Sequence, residues 1–267
     1  MQDARAPRLL ADDEPSPVRV LRPDGRSDFL LTADHAGRRI PRRLGSLGLP
    51  ASELQRHIAW DIGIAAVTEQ LAAALDATAV LQTYSRLVID CNRQPEWQSA
   101  VPVISEDTPV PGNEALTDDA REARETEIFV PYHETIDTLL SARNAAGRRV
   151  VLVAMHSFTP VYKGTARTVN VGVLYNPNDR DIRLPHIMLD LLHAEGNVAV
   201  GDNQPYAITD ASDFTIPWHG ERRGLPHVEI EIRQDLIGDA AGQAAWAARL
   251  ARLLSAADTQ LRAAAGV

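Results

Sequence analysis

Two histidines, His35 and His156, each arrive directly after a short apolar run, Phe29 to Ala33 in one case and Val150 to Met155 in the other. If those runs are strands of one sheet, their ends converge on one edge. Two imidazoles joined there by one carboxylate form the donor set of hydrolytic zinc sites, which keep a fourth position for water. No compact signature such as H-E-x-x-H accompanies the pair. From the residues alone the third donor stays open among Asp34, His57, Asp61 and Asp90. His57 and Asp61 are spaced i, i+4 on a predicted helix and so share a face. An aspartate there, with its short reach, requires that helix to lie close against the sheet edge.

Near the C-terminus, strand alternation in His227 to Arg233 puts Glu229, Glu231 and Arg233 on one face and Val228, Ile230 and Ile232 on the other. The polar face reads either as a solvated edge, which the pattern alone favours, or as a general base with its charge partners. Ser85-Arg86 and Asn92-Arg93 flank the run Leu87 to Ile89. A guanidinium fork beside an amide suits a ligand carboxylate. Arg180, Arg183, Arg222 and Arg223 are further cations in or beside glycine- and proline-marked loops. Cys91 has no neighbouring histidine and reads as a small buried side chain, and Ser157 lacks the G-x-S-x-G frame of a serine hydrolase.

The elements that must carry these residues alternate along the chain. Strands are predicted at Phe29–Ala33, Ala79–Leu81, Leu87–Ile89, Val150–Met155, Val169–Leu174 and Val228–Ile232. Helices are predicted from a capping box at Ser52 and Gln55 through Leu71, from Asp118 to Asn144 with a kink at Pro131, from Arg183 to Glu195 closed by Gly196, and from Ala240 to Ala264. Gln94 to Thr117 is a long proline-rich loop, of a length more often functional than idle, and a candidate lid. The alternation predicts one α/β domain with a mostly parallel or mixed sheet, preceded by a disordered or loosely attached lead over residues 1–17.

The whole chain sets limits on the ligand. Its 267 residues are 45% hydrophobic and 24% charged, which fits an ordinary globular domain, and the formal net charge of −9 excludes a broad basic groove for nucleic acid. Any anionic ligand must be met by local cations, and of the 27 lysines and arginines only Lys163 is a lysine. A single cysteine, the absence of an apolar leader and the absence of a long apolar run lead us to expect a cytoplasmic protein with neither disulfide nor membrane span.

In order, Ala33-Asp34-His35-Ala36-Gly37 with Ile40-Pro41, Ala59-Trp60-Asp61-Ile62-Gly63, Tyr84 to Arg93, His156-Ser157-Phe158 and Val228 to Leu236 resemble the N-formylglutamate amidohydrolase family. The Ser85-Arg86-Leu87 and Asp90-Cys91-Asn92-Arg93 pieces are its most distinctive part. The resemblance implies a single catalytic domain over residues 18–267, a fold similar to the zinc carboxypeptidases, and metal-dependent hydrolysis of an amide on an acidic amino acid, as in histidine degradation. Carboxypeptidase-like enzymes usually take a glutamate three residues after the first histidine. Arg38 stands there in this chain, so Asp61 is nominated instead, giving Zn²⁺ or another divalent metal on His35, Asp61 and His156. The same resemblance gives Glu231 as general base with Glu229 as its understudy. Arg93 and Asn92 would hold the α-carboxylate, Arg86 a second carboxylate or the oxyanion, with Arg223 a further anion contact. The expected partner is a small anionic N-acyl amino acid. The rival expectations are a zinc deacylase or carboxypeptidase-like enzyme for another acyl group or short peptide, and a binder of acidic amino acids without catalysis.

Overall fold

The computed structural model describes residues 8–179, 181–209 and 211–265. Its centre is a seven-stranded mixed sheet in the order β1-β3-β2-β6-β11-β9-β10. The four inner strands β3 (Thr78–Gln82), β2 (Phe29–Ala33), β6 (Val151–Phe158) and β11 (His227–Arg233) run parallel. At one edge β1 (Val18–Leu21) pairs antiparallel with β3. At the other, β9 (Val171–Leu174) pairs antiparallel with β11 and parallel with β10 (Val200–Asp202). The inner strands are buried along almost their whole length, which is why they appear in sequence as nearly unbroken apolar runs.

Helices cover both faces. α1 (Ile64–Leu75), α4 (Arg183–Glu195) and α5 (Ala240–Ala265) pack on one core with Leu31, Ala33, Val153, Met155, Ile230 and Ile232. On the opposite face, α3 (Val130–Ala145) packs with Leu30, Val80, Leu152, Ala154 and Leu174. α2 (Asp118–Arg124) leads into α3 through a π-helical turn at Glu125–Phe129, so the wider turn and the proline at the start of α3 replace the expected kink. The chain leaves β2 for β3 through α1 on one face and reaches β6 through α3 on the other. β2 and β6 therefore flank a switch point, where an open α/β sheet leaves a crevice beyond its strand ends. Two short hairpins, β4–β5 (Ile104–Ser105 with Thr108–Pro109) and β7–β8 (Val161–Tyr162 with Thr165–Ala166), stand over that crevice.

Three local expectations are corrected. Residues 52–61 form no helix: Glu53–Gln55 is one 3₁₀ turn, Ser52 caps nothing, and α1 begins only at Ile64. Leu87 to Ile89 is a buried turn, with the amide of Val88 bonded back to the Ser85 carbonyl. From residue 8 the lead is anchored, because Leu9 and Leu10 are buried and their amides donate to the Glu127 carboxylate at 2.7 and 2.9 Å. No helix among the described residues is long and apolar enough to cross a membrane.

Candidate active site

At the switch point the backbone brings three side chains to one place. β2 ends at Ala33 and delivers Asp34 and His35, while His156 sits inside the last turn of the pleat of β6, two residues before its end. Asp61 comes from the turn ahead of α1, and its own amide donates to the His35 carbonyl at 2.9 Å. Gly63, at φ +83°, allows the chain to swing from Asp61 into the helix while lying against the Ile237 carbonyl. The Asp61 Oδ2 lies 3.1 Å from His156 Nδ1 and 3.6 Å from His35 Nδ1, and it accepts the Ser157 amide at 3.0 Å. The three side chains offer ligand atoms within 4.8 Å of one another, and all three are buried.

Each histidine is backed by a carboxylate on its far nitrogen. Asp90 Oδ1 is 2.7 Å from His35 Nε2, and Asp34 Oδ2 is 3.3 Å from His156 Nε2. Asp34 is held in turn by the Tyr132 hydroxyl at 2.6 Å. This is the arrangement that orients imidazoles toward a cation. His35 Nδ1 has no hydrogen-bond partner although it is buried, and it faces the same point as Asp61 Oδ2 and His156 Nδ1. An orphaned donor nitrogen, a carboxylate and a second imidazole fit a divalent metal. Asp34 and Asp90, open as ligands in the sequence, thus stand behind the histidines. His57 lines the same cavity but is not part of the cluster, and its Nε2 lies 3.4 Å from Glu106.

The charges of the bare site are strongly interdependent. Burial alone would raise the Asp34 pKa, but the His156 ring 3.3 Å away holds it down to about 2. Burial likewise opposes ionisation of Asp61 and Asp90 and is overcome, at Asp61 by His35 and His156 and at Asp90 by Arg86 and His35. Glu229 and Glu231 are different. Burial dominates both and pushes each carboxyl up to about 8, with neighbouring carboxylates adding to the effect. Glu231 lies across from His156 in the β11–β6 register. The expected solvated edge of β11 is overturned, since Glu229 is 3% and Glu231 6% exposed and both line the cavity.

That cavity, of about 570 Å³, is lined by the three clustered residues together with Arg86, Asn92, Arg93, Glu229 and Glu231. Arg86 gives Nε and Nη2 to Asp90 at 3.1 and 2.6 Å and turns Nη1 toward Asp61 at 3.6 Å. The Asn92 amide oxygen accepts the Phe214 and Thr215 amides, and its nitrogen donates to Asp213 at 3.2 Å, so it fastens the loop of residues 211–215. Arg93 donates from Nη1 to the Ser212 carbonyl, and its Nε and Nη2 have no hydrogen-bond partner among the described residues. Arg223 is elsewhere: it pairs with Asp137 of α3 and is absent from the cavity lining, because its 3₁₀ turn packs on the far end of that helix. Arg183 pairs with Asp181, Arg222 stacks on Trp218, and Arg180 lies outside the described residues. Burial raises the Cys91 thiol pKa, and Gln82 donates to its sulfur, which suits a core residue rather than a nucleophile. Ser157 donates its hydroxyl to the Ile62 carbonyl. Ser99, Pro102 and Ile104 to Glu106 of the long loop line the cavity.

The model of the family described as N-formylglutamate amidohydrolase matches residues 27–238, a stretch that holds every one of these side chains. The chain belongs to this family. As a member of the N-formylglutamate amidohydrolase family it is a hydrolase acting on an amide bond. The crystal structure of gene product Atu2144 from Agrobacterium tumefaciens is 42% identical, covering 96% of this chain and 100% of that one with a TM-score of 0.91. N-formylglutamate amidohydrolase from Ralstonia eutropha JMP134 shares the fold at 20% identity, covering 93% and 99% of the two chains with a TM-score of 0.69. No curated protein sequence matches the chain. The match to the family model agrees with the ordered motifs. Arg167, close to the same cavity, carries no sequence signal of its own: what marks it is the folding of Tyr206 onto the hairpin that already holds Phe158 and Tyr162 near it.

Proposed function

We propose that the protein is a metal-dependent amidohydrolase that converts N-formyl-L-glutamate, or a closely related N-acyl acidic amino acid, to the free amino acid and formate or the corresponding acid. The observation that carries this reading is the buried His35–Asp61–His156 cluster on the floor of a cavity that also holds Glu231. His35, Asp61 and His156 would hold a divalent cation, zinc in this reading, which would supply Lewis acidity toward a carbonyl and a water. Held there, such a cation would also favour the ionised forms of Glu229 and Glu231, whose pKa burial raises in the bare site.

The chain's own groups then have defined tasks. Arg93 binds the α-carboxylate through its free guanidinium edge and fixes the amide over the cluster. Ionised Glu231 takes a proton from the attacking water and passes it to the departing amine, while Glu229 is the reserve base on the same strand face. Arg86, anchored by Asp90, turns Nη1 inward as a donor for the developing oxyanion. Water and amide are consumed, and formate and an ammonium form, so the protons balance.

One observation keeps a second reading in view. The cavity falls within the range of roughly 300–1,000 Å³ typical for larger ligands, which leaves room for a longer acyl group or a short peptide. The deciding experiment is metal analysis of protein purified without chelator, with formate release measured before and after stripping and after zinc is restored. We expect near-stoichiometric metal, loss of turnover on stripping and recovery on reloading. Full turnover in rigorously metal-free protein would overturn the reading. Faster release of longer acyl groups would shift it to the second one, and ligand-dependent stabilisation without product would indicate a binder.

A further inference from the structure

A substrate carrying two carboxylates needs two cationic sockets, and the cavity's obvious cations offer only one. Arg86 is committed to Asp90 and Asp61. Arg56 is committed to Glu53 and Glu106, and Lys163 pairs with Asp107 at 3.2 Å. Arg93 has a free edge but serves one group.

Arg167 stacks on the aromatic rim of the cavity without itself being one of its lining residues, and, like Arg93, it has no carboxylate within ion-pair distance among the described residues. Its guanidinium carbon lies 4.7 Å from the ring centroid of Tyr206, 4.9 Å from that of Tyr162 and 5.6 Å from that of Phe158. All three rings line the cavity. Aromatic faces strip water from the flat sides of a guanidinium and leave its N–H edge as the place to meet an anion. That edge is lightly used: Nη1 reaches the Thr159 carbonyl at 3.5 Å, and the Tyr206 hydroxyl is the other polar neighbour.

The main chain of Arg167 is also placed firmly. Its amide closes the β7–β8 hairpin on the Pro160 carbonyl at 2.8 Å, and its carbonyl accepts from Arg233 Nη1 at 3.0 Å. Arg233 lies two residues after Glu231 on β11. The hairpin carrying the cation is therefore tied to the strand carrying the proposed base, and Arg167 is close enough to Glu231 to act on its charge.

We propose that Arg167, boxed by Phe158, Tyr162 and Tyr206, receives the side-chain carboxylate of the substrate and so sets the preference for acidic over neutral N-acyl amino acids. This rests on the hydrolase reading above and names the second anion socket of the same site.

The test compares N-formyl-L-glutamate with N-formyl-L-glutamine, which differ by a carboxylate against an amide. Both are followed by calorimetric binding and by kcat/KM on zinc-loaded wild type, Arg167→Gln and Arg167→Lys. We expect the glutamate-to-glutamine preference to fall about 10- to 100-fold in Arg167→Gln, the size of a charge-assisted contact, mainly through KM and the binding constant. Arg167→Lys should restore it in part, since it keeps the charge and loses the fork. If Arg167 only braces the aromatic rim, both substrates will weaken together and the ratio will be kept, which overturns the proposal. Binding without turnover, with a ratio that still depends on Arg167, would sink the hydrolase reading and leave the socket standing. A protein that binds neither compound would overturn both.

Discussion

Asp61 concentrates the chemistry of the site because one carboxylate oxygen answers to three groups: the His156 ring, the Ser157 amide and, slightly farther away, the His35 ring. Those contacts hold it ionised in spite of burial, the state the proposed metal ligand requires. Glu229 and Glu231 are also buried, yet they lack such a set of donors, and each has a buried oxygen without a partner. In the mechanism we propose, similar carboxyl groups with opposite environments divide the labour between ligand and base. We therefore expect Glu231→Gln, nearly isosteric and one proton-accepting group short, to lower kcat about a hundredfold or more while metal stoichiometry holds. Steady-state rates with parallel metal analysis check this. A silent Glu231→Gln would move the base to Glu229, and loss of metal in Glu231→Gln would instead place Glu231 among the ligands.

The turn between β2 and α1 shows how an element too irregular to read by periodicity still places a reactive side chain. Gly63 takes φ +83°, and a methyl group there would stand 2.2 Å from the Ile237 carbonyl oxygen. Gly147 shares the left-handed backbone, at φ +65°, but has open space around it. Gly147→Ala should cost about 1 kcal/mol in backbone strain, whereas Gly63→Ala adds a clash with main chain and should cost at least about 2 kcal/mol. Thermal unfolding should show a drop of several degrees for Gly63→Ala and a smaller one for Gly147→Ala. Equal shifts would mean that Ile237 yields freely. The same region explains what the sequence revealed. His35 and His156 were legible because buried parallel strands are continuous apolar runs whose ends are easily seen. Asp61 stands out only through the family resemblance, and the helix predicted through it does not form: Leu54 and Ile58 have helical spacing but sit in a 3₁₀ turn and a turn. Strand alternation separated Glu229 and Glu231 from their apolar neighbours, yet it could not say which face was covered. The cover comes from α3's side of the sheet and from loops more than fifteen residues away.

Across the whole molecule, buried ionisable groups oppose one another in their response to pH. His133 and His219 form a buried pair on α3 and the π-helical turn Ile216–Gly220, with 3.0 Å between ring nitrogens, and burial lowers them to about 4 and about 3. Between those values and the ordinary 6.5 the unfolded chain takes up protons that the folded chain refuses, so this pair makes stability rise with pH. Glu229 and Glu231, raised to about 8, act in the opposite sense: above about 4.5 the folded chain keeps protons that the unfolded chain releases, so their contribution is lost as pH rises. Half-buried His57, lowered by burial, joins the first pair, and Asp213, raised by burial, joins the second. His35 and His156, raised in the bare site, are protonated in both states below 6.5 and enter only above it. Each full proton of difference is worth about 1.4 kcal/mol per pH unit. In the window from about 4.8 to 6.2, two protons of each sign nearly cancel, so the metal-free wild type should show an almost flat unfolding free energy. Glu229→Gln/Glu231→Gln removes one side of the balance and should become less stable as pH falls, by on the order of 1 kcal/mol or more per unit. Denaturant unfolding of chelated protein at several pH values measures both slopes. A double variant as flat as wild type would mean that the histidine pair takes up protons without unfolding, and that its burial is less complete than its packing against Phe129 and Phe214 indicates.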